Sequence, residues 1–146
     1  CLDGDYEWWL NIDADNIPTA NLLDMIKHNK DICASPYPIF QNIGKGKPIT
    51  WGIKNDGPLT QRGLQKVQAI ASGAMLIRAN VLRRMTKPIF RREYDRDGIV
   101  TTGVDYLFSF EAQKQGFEVW VDWSRRTLHW NEVELLETHI GYSRKE

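Results

Sequence analysis

The sequence predicts an α/β fold in which helices flank a mixed sheet, and three observations support this. First, an apolar run at residues 7–12 stops abruptly at Asp13 and Asp15, as a buried strand does at a ligand-binding edge. Second, residues 7–35 read as strand, helix and strand, which is the unit that builds parallel sheets. Third, a helix-like segment at 104–115 is followed directly by an alternating, strand-like segment.

Each element follows from local patterns. The first run is rich in aromatic and branched side chains, so we expect a strand covered on both faces, with the next strand beside it. Leu22, Leu23 and Ile26 define one face of the first helix, and Gly116 is well placed to end the last one. In order, we predict strand 7–12, helix 20–30 capped by Thr19, strand 31–35, a surface excursion at 36–62 with one strand at 49–53, strands 66–70 and 74–78, helix 81–85 capped by Asn80, a loop at 87–98, helix 104–115, strands 117–121 and 127–130, and a charged peripheral helix at 131–146.

Composition limits the classes of function. The 146 residues, 42% of them hydrophobic, are expected to form a single domain over 1–146, with 131–146 as a peripheral tail. Lys plus Arg and Asp plus Glu both total 19, so a basic surface for nucleic acid is not expected. No apolar run has the length of about 20 residues that a membrane span requires, and the first residues do not resemble a signal peptide. We therefore expect a cytoplasmic protein.

Carboxylate pairs separated by one residue occur three times, at Asp3/Asp5, Asp13/Asp15 and Asp95/Asp97. Only the middle pair ends an apolar strand, where side chains at i and i+2 point the same way and converge on one cation or hydroxyl. The third pair fits a calcium-binding EF-hand loop poorly, because the twelfth position, which needs a bidentate Glu, is Val104. We predict a functional site at the middle pair and surface turns at the other two.

Two further residues are open to two interpretations from pattern alone. Asp105 lies in the first turn of a predicted helix, where an acid is favoured by the helix dipole, but a loop containing Gly103 before a helix is also a common place for a general base. His129 lies between Leu128 and Trp130 in a short extended segment, where a structural histidine and a metal ligand are both reasonable.

The order of these features resembles the C-terminal two-thirds of a GT-A glycosyltransferase domain, in particular the large inverting family that uses nucleotide-sugar donors. The match runs from about residue 6 to residue 130. It includes the strand ending in Asp13-Ala14-Asp15, the small-residue turn Ala71-Ser72-Gly73 before an apolar strand, Asp105 at a helix start, and Val-Asp after the following strand. The resemblance implies a GT-A (Rossmann-like) mixed sheet flanked by helices.

The resemblance also implies roles. Asp13 would contact the nucleotide, with Ser72 and Gly73 in the same binding region. Asp15 and His129 would hold a metal, and a mixed carboxylate and imidazole site suits Mn²⁺ somewhat better than Mg²⁺. Asp105 would be the catalytic base that accepts a proton from an acceptor hydroxyl, such as that of a glycan, with inversion at the sugar. The family's acidic neighbour of that base is replaced here by Val104.

Family members begin with strand-helix-strand units that hold the nucleobase, and this sequence starts just before the Asp-x-Asp strand. We therefore expect an N-terminally truncated domain whose exposed sheet edge favours homo-oligomers. Two alternatives to a glycosyltransferase are a non-catalytic module that binds a glycan or a protein on the same fold, and a nucleotidyltransferase. The latter normally needs a Gly-rich, basic phosphate-binding start, which the sequence lacks.

Overall fold

A five-stranded mixed sheet organises the chain. In this computed structural model, residues 4–40 and 49–130 are described. The predicted tail at 131–146 lies outside the described residues. The sheet contains β1 (Trp8–Ile12), β9 (Ala74–Arg78), β3 (Ile32–Ala34), β12 (Val119–Asp122) and β7 (Leu64–Lys66), in that spatial order.

Within the part of the chain that the structure describes, four two-stranded pairs accompany this sheet. They are formed by β2 (Asn16–Pro18) with β13 (Thr127–His129), β4 (Pro38–Phe40) with β5 (Ile49–Trp51), β6 (Ile53–Lys54) with β8 (Ala69–Ile70), and β10 (Glu93–Tyr94) with β11 (Val100–Thr102). The helices are a 3₁₀ helix (Leu22–His28), α1 (Ala79–Arg84) and α2 (Val104–Lys114). No helix of the described ranges is long and apolar enough to cross a membrane.

The order of the strands corrects one prediction. We expected β3 to lie beside β1, but β9 lies between them and pairs antiparallel with both. The strands β1 and β3 therefore run in the same direction, as the strand-helix-strand pattern predicts, but they are not neighbours. Parallel hydrogen bonding occurs between β3 and β12, whereas the other pairs of this sheet are antiparallel. A strand inserted from later in the chain cannot be inferred from local periodicity.

The position of β1 corrects a second prediction. It is an edge strand of half-buried side chains rather than a strand covered on both faces. Trp8 and Leu10 pack on one face of the sheet and Trp9 on the other. The Arg78 guanidinium lies 4.3 Å above the Trp8 ring. A cation–π contact, rather than a second layer of secondary structure, therefore covers this tryptophan. Self-association through this edge stays a prediction.

The predicted apolar face of the first helix was wrong, because this helix is a 3₁₀ helix. In a 3₁₀ helix, three residues make a turn, so residues at i and i+3 lie on the same face. Leu22 and Met25 are accordingly buried, while Leu23 and Ile26 are exposed. Its N-cap is Asn21, whose side chain accepts the Leu23 N–H at 3.1 Å, rather than Thr19.

The later elements follow the sequence more closely. Helix α2 occupies the predicted segment, and Gly116 follows it at a φ of +88°, a left-handed conformation that glycine adopts without strain. Helix α1 begins two residues earlier than predicted, and its N-cap is Arg78 instead of Asn80, without a side-chain hydrogen bond. The predicted strand 66–70 is split between β7, which pairs with β12, and β8, which pairs with β6. The described part of the excursion at 36–62 carries three short strands, where one was predicted.

The core lies mainly on one face of the sheet. Helix α2 contributes Phe108 and Ala112 to a cluster with buried side chains of β9 and β12, such as Ile77 and Val119. A smaller cluster under the 3₁₀ helix covers the opposite face. Helix α2 is thereby held against the sheet, and its N-terminus lies near the ends of β1 and β3.

Candidate functional site

One cavity contains most of the residues singled out in the sequence. Its volume is about 310 Å³, and it lies where β1 and β3 end, between the β2–β13 pair and the start of α2. Among the residues that the structure describes, three carboxylates line it and no Lys or Arg does. The lining residues are Asp13, Asp15, Asn16, Tyr37, Ile39, Ala71, Gly103, Asp105, Tyr106 and His129.

Asp13 is held in place by the neighbouring turn. Its backbone N–H donates to the Gly73 carbonyl at 2.9 Å. The Asn11 amide donates both to Asp13 Oδ1 at 2.9 Å and to the Ser72 carbonyl at 2.8 Å. The side chain of Asn11 therefore joins the end of β1 to the Ala71–Gly73 turn and fixes one oxygen of the Asp13 carboxylate. The other oxygen has no hydrogen-bond donor among the described residues and is available to a ligand.

The β2–β13 pair brings His129 to Asp15. In this pair His129 lies opposite Asn16, the residue after Asp15. His129 Nδ1 lies 2.8 Å from the Pro38 carbonyl oxygen. Because a carbonyl only accepts, Nδ1 carries the ring proton, and in the neutral ring Nε2 presents a lone pair. That Nε2 is 3.3 Å from Asp15 Oδ2.

This arrangement fits a metal ion held partly by the protein. Two lone-pair-bearing atoms that face each other at 3.3 Å repel unless a proton or a cation lies between them. A backbone carbonyl that orients the second ring nitrogen is the usual support of a metal-binding histidine. Within residues 4–40 and 49–130, however, no three His, Cys, Asp or Glu side chains converge as a metal site. The protein would thus supply Asp15 and His129, and phosphate oxygens or water the remaining ligands, as is common for Mg²⁺ and Mn²⁺.

Asp105 faces the same cavity from the first turn of α2. Its Oδ2 accepts the Ser72 backbone N–H at 3.2 Å, and Ser109 Oγ donates to its carbonyl at 3.0 Å. One carboxylate oxygen is therefore held by the turn, while the other is left for a ligand. The side chain lies in the first turn of α2, where an acidic residue complements the helix dipole.

Ser72 and Gly73 lie behind the cavity wall rather than in it. Gly73 is buried, Ser72 is half-buried, and neither lines the cavity. Their backbone groups bind Asp13, Tyr37 and Asp105. The turn thus connects Asp13, the predicted nucleotide contact, with Asp105, the predicted catalytic base. A direct contact of Ser72 and Gly73 with the nucleotide stays a prediction.

Three lining residues with polar side chains were not predicted as site residues: Asn16, Tyr37 and Tyr106. Tyr37 Oη accepts the Gly73 N–H at 2.9 Å, and its ring packs edge-on against His129 with centroids 5.0 Å apart. Burial raises the pKa of Tyr37 above its usual value and outweighs the opposite effect of that hydrogen bond. A signal was available, because Tyr37 follows a predicted strand and Asn16 follows Asp15, both at strand ends that favour ligand contacts.

A second charged cluster lies on the 3₁₀-helix side and is structural. Asp122, whose side chain is 2% exposed, contacts His28 Nε2 at 2.8 Å and Arg125 Nη1 at 2.9 Å. Its other oxygen accepts the N–H and O–H of Ser124. Arg125 also reaches Asp24 at 3.3 Å. Because these contacts use both carboxylate oxygens of Asp122, the cluster ties the 3₁₀ helix to the end of β12.

Comparisons with known proteins add evidence on the fold alone. No protein-family model matches the chain, and no curated protein matches it. Among solved structures, the chain is similar to the crystal structure of A197 from STIV, with a TM-score of 0.60 and 14% sequence identity over 88% of this chain. The chain spans 60% of the length of that structure. At this identity the similarity supports a shared α/β fold and gives no information on activity.

Proposed function

We propose that this chain is a metal-dependent glycosyltransferase domain that transfers a sugar from a nucleoside-diphosphate sugar to an acceptor hydroxyl with inversion. One observation carries the proposal. Asp13, Asp15, Asp105 and His129, which come from distant parts of the sequence, line a single cavity. Each has a carboxylate oxygen or a ring nitrogen that is not used by the surrounding protein or is shared with another member of the set.

The part of the cavity lining that the structure describes carries three carboxylates, and this bears on how phosphate groups would bind. Three carboxylates repel a diphosphate unless a cation lies between them. A divalent ion on Asp15 and His129 would supply that charge and act as a Lewis acid toward the leaving diphosphate. Asp13, with one oxygen fixed by Asn11, would accept a hydrogen bond from a nucleotide hydroxyl.

Asp105 would act as the general base. With Oδ2 held by Ser72, its free oxygen would accept the proton of the acceptor hydroxyl as that oxygen forms a bond to the anomeric carbon. The bond from the anomeric carbon to the diphosphate oxygen breaks, and its electron pair leaves with the nucleoside diphosphate. Attack opposite the leaving group inverts the configuration at this carbon.

The experiment is a thermal shift measurement with Mn²⁺ and a nucleoside diphosphate, using UDP and GDP in turn. Both ligands together should raise Tm, and Asp15→Ala should abolish the increase because it removes one of the two protein ligands of the metal. Asp97→Ala is the matched control, since Asp97 is the second carboxylate of an exposed Asp-x-Asp pair outside the cavity. An unchanged Tm of the wild-type protein with both ligands would contradict the proposal.

A second candidate is a non-catalytic module that binds a glycan on the same fold. Two observations favour it: Val104 stands where the resembling family has an acid, and carboxylates beside Tyr37 and Tyr106 also suit direct sugar binding. Saturable glycan binding without metal or nucleotide, retained in Asp105→Asn, would favour this candidate. Glycan binding that requires Mn²⁺ and a nucleotide would favour the transferase.

A further inference from the structure

The buried amide of Asn16 has an unused acceptor. Asn16 is 4% exposed, and its Nδ2 donates to Asp15 Oδ1 at 3.1 Å. Its Oδ1 is buried and has no hydrogen-bond partner among the described residues. Buried acceptors without partners are rare in native proteins because leaving the group unpaired is costly. Since Asn16 also lines the cavity, a bound molecule is a natural source of the missing donor.

Tyr37 has the complementary property, an unused donor. The residue is 5% exposed, and its Oη already accepts the Gly73 N–H. A tyrosine hydroxyl, with an ordinary pKa of about 10, carries its proton at neutral pH and can donate it. Within the described ranges, no protein oxygen accepts the Tyr37 O–H. A neutral donor therefore lies in a cavity whose other polar groups are mostly acceptors.

Gly73 allows these two side chains to lie next to each other. A Cβ placed on Gly73 would lie 2.6 Å from Asn16 Nδ2 and 2.6 Å from Tyr37 Oη. Both side chains thus occupy the space that any other residue at this position would fill. The Asn16 amide, through its Nδ2, and the Tyr37 hydroxyl therefore approach the same point beside Gly73.

We propose that Asn16 and Tyr37 recognise one hydroxyl of the donor sugar, Asn16 Oδ1 accepting its proton and Tyr37 donating to its oxygen. A phosphate oxygen without a proton cannot satisfy Asn16, and an ammonium group cannot accept from Tyr37, whereas a hydroxyl does both. The sugar is assigned to the donor because Asn16 holds Asp15 and Tyr37 packs on His129, which are the two predicted metal ligands. This assignment rests on the proposed function.

The ligand-free protein gives the first test, which does not depend on any nucleotide. Before sugar binds, a water molecule should take the place of the hydroxyl. A crystal structure of the chain should show a water within hydrogen-bond distance of both Asn16 Oδ1 and Tyr37 Oη, and Tyr37→Phe should lose it. A direct hydrogen bond between Tyr37 and Asn16 Oδ1, or no water there in the wild-type protein, would overturn the proposal.

The second test measures Kd by calorimetry at saturating Mn²⁺ for UDP and UDP-glucose, and for GDP and GDP-mannose. In the wild-type protein, the preferred nucleotide sugar should bind more tightly than its nucleoside diphosphate. Tyr37→Phe should reduce this preference about tenfold, the value of one hydrogen bond of about 1.4 kcal/mol, so that the Kd of the nucleotide sugar rises more than the Kd of the diphosphate. Tyr94→Phe, a change at an exposed tyrosine of β10 outside the cavity, is the control.

The outcomes separate the two proposals. If none of these nucleotides binds the wild-type protein, the proposed function is wrong, and the water molecule alone decides whether the hydroxyl site exists. If the diphosphates bind and Tyr37→Phe leaves the preference for the nucleotide sugar unchanged, the hydroxyl site is wrong while the proposed function stands. A loss of diphosphate binding in Tyr37→Phe equal to the loss of sugar binding would also contradict the hydroxyl site.

Discussion

Gly73→Ala should destabilise the protein strongly. Among nearby glycines without a positive φ, it should have the largest effect. Gly73 does not have a positive φ, so the effect comes from space rather than from backbone conformation. The added methyl group would lie 2.6 Å from Asn16 Nδ2, 2.6 Å from Tyr37 Oη and 2.7 Å from Tyr37 Cζ. The amide of Asn16 can turn away, but the Tyr37 ring is buried against His129 and cannot do so without repacking.

The magnitude follows from two contributions. Forcing a methyl group into a packed site costs about 1–3 kcal/mol. Moving the Tyr37 ring also removes the hydrogen bond from the Gly73 N–H to Oη, which contributes about 1 kcal/mol. A loss of about 2–4 kcal/mol of unfolding free energy is expected. At about 2–4 °C per kcal/mol for a chain of this size, Tm should fall by roughly 4–16 °C.

Urea denaturation measures this loss directly as a lower midpoint at an unchanged slope. Gly57→Ala is the matched control, because a Cβ there meets only Asn55 Nδ2, at 3.7 Å, and the site is exposed. The control should change the free energy of unfolding by less than about 0.5 kcal/mol. If Gly73→Ala and Gly57→Ala have the same midpoint, the close packing of Gly73 against Asn16 and Tyr37 is wrong.

Three further predictions concern the charged groups and the thiol. Burial raises the pKa of Asp122, but hydrogen bonds from Ser124 and His28 outweigh this effect and hold the pKa below its usual value of 3.8. The charged carboxylate therefore stabilises the protein above about pH 4, and this stabilisation is lost as the pH falls below that value. Asp122→Asn should be less stable by about 2–4 kcal/mol at pH 7, and its Tm should drop less between pH 5 and pH 3 than that of the wild-type protein. Burial raises the pKa of Cys33 to about 12, so iodoacetamide at pH 8 should not modify this residue in the folded protein, as peptide mass mapping would show, and rapid labelling would contradict its burial. Asp105→Asn should keep the Tm increase with Mn²⁺ and nucleotide but lose transfer by about 100-fold or more, and retained transfer would exclude Asp105 as the base.

Local patterns were sufficient for elements that long-range pairing does not change. The segment of α2, its end at Gly116 and the strand character of Ala74–Arg78 follow from periodicity and glycine placement. The 3₁₀ geometry that buries Met25 instead of Leu23 was not predictable, because both helix types suit that sequence. The insertion of β9 between β1 and β3 depends on contacts between distant residues, which periodicity does not report.

The sequence indicated candidate site residues where carboxylates stand at the end of an apolar strand. Asp13 and Asp15 follow from the end of an apolar strand, and the structure brings Asp105 and His129, which were open from pattern alone, into the same cavity. Asn16 and Tyr37 were missed because their importance lies in unused hydrogen-bonding capacity next to Gly73. Their positions at strand ends were a signal in the sequence, but the unused hydrogen-bonding capacity depends on burial and packing, which only the structure provides.

The position of bound Mn²⁺ tests the central claim most directly. Substoichiometric Mn²⁺, added with a nucleoside diphosphate, broadens the amide resonances nearest to it in an ¹⁵N-labelled sample. If Asp15 and His129 hold the metal, the amides of both residues should broaden first, while those of Asp95 and Asp97, the look-alike pair outside the cavity, should stay sharp. Broadening centred on Asp95 and Asp97, or equal across the chain, would contradict a metal site in this cavity.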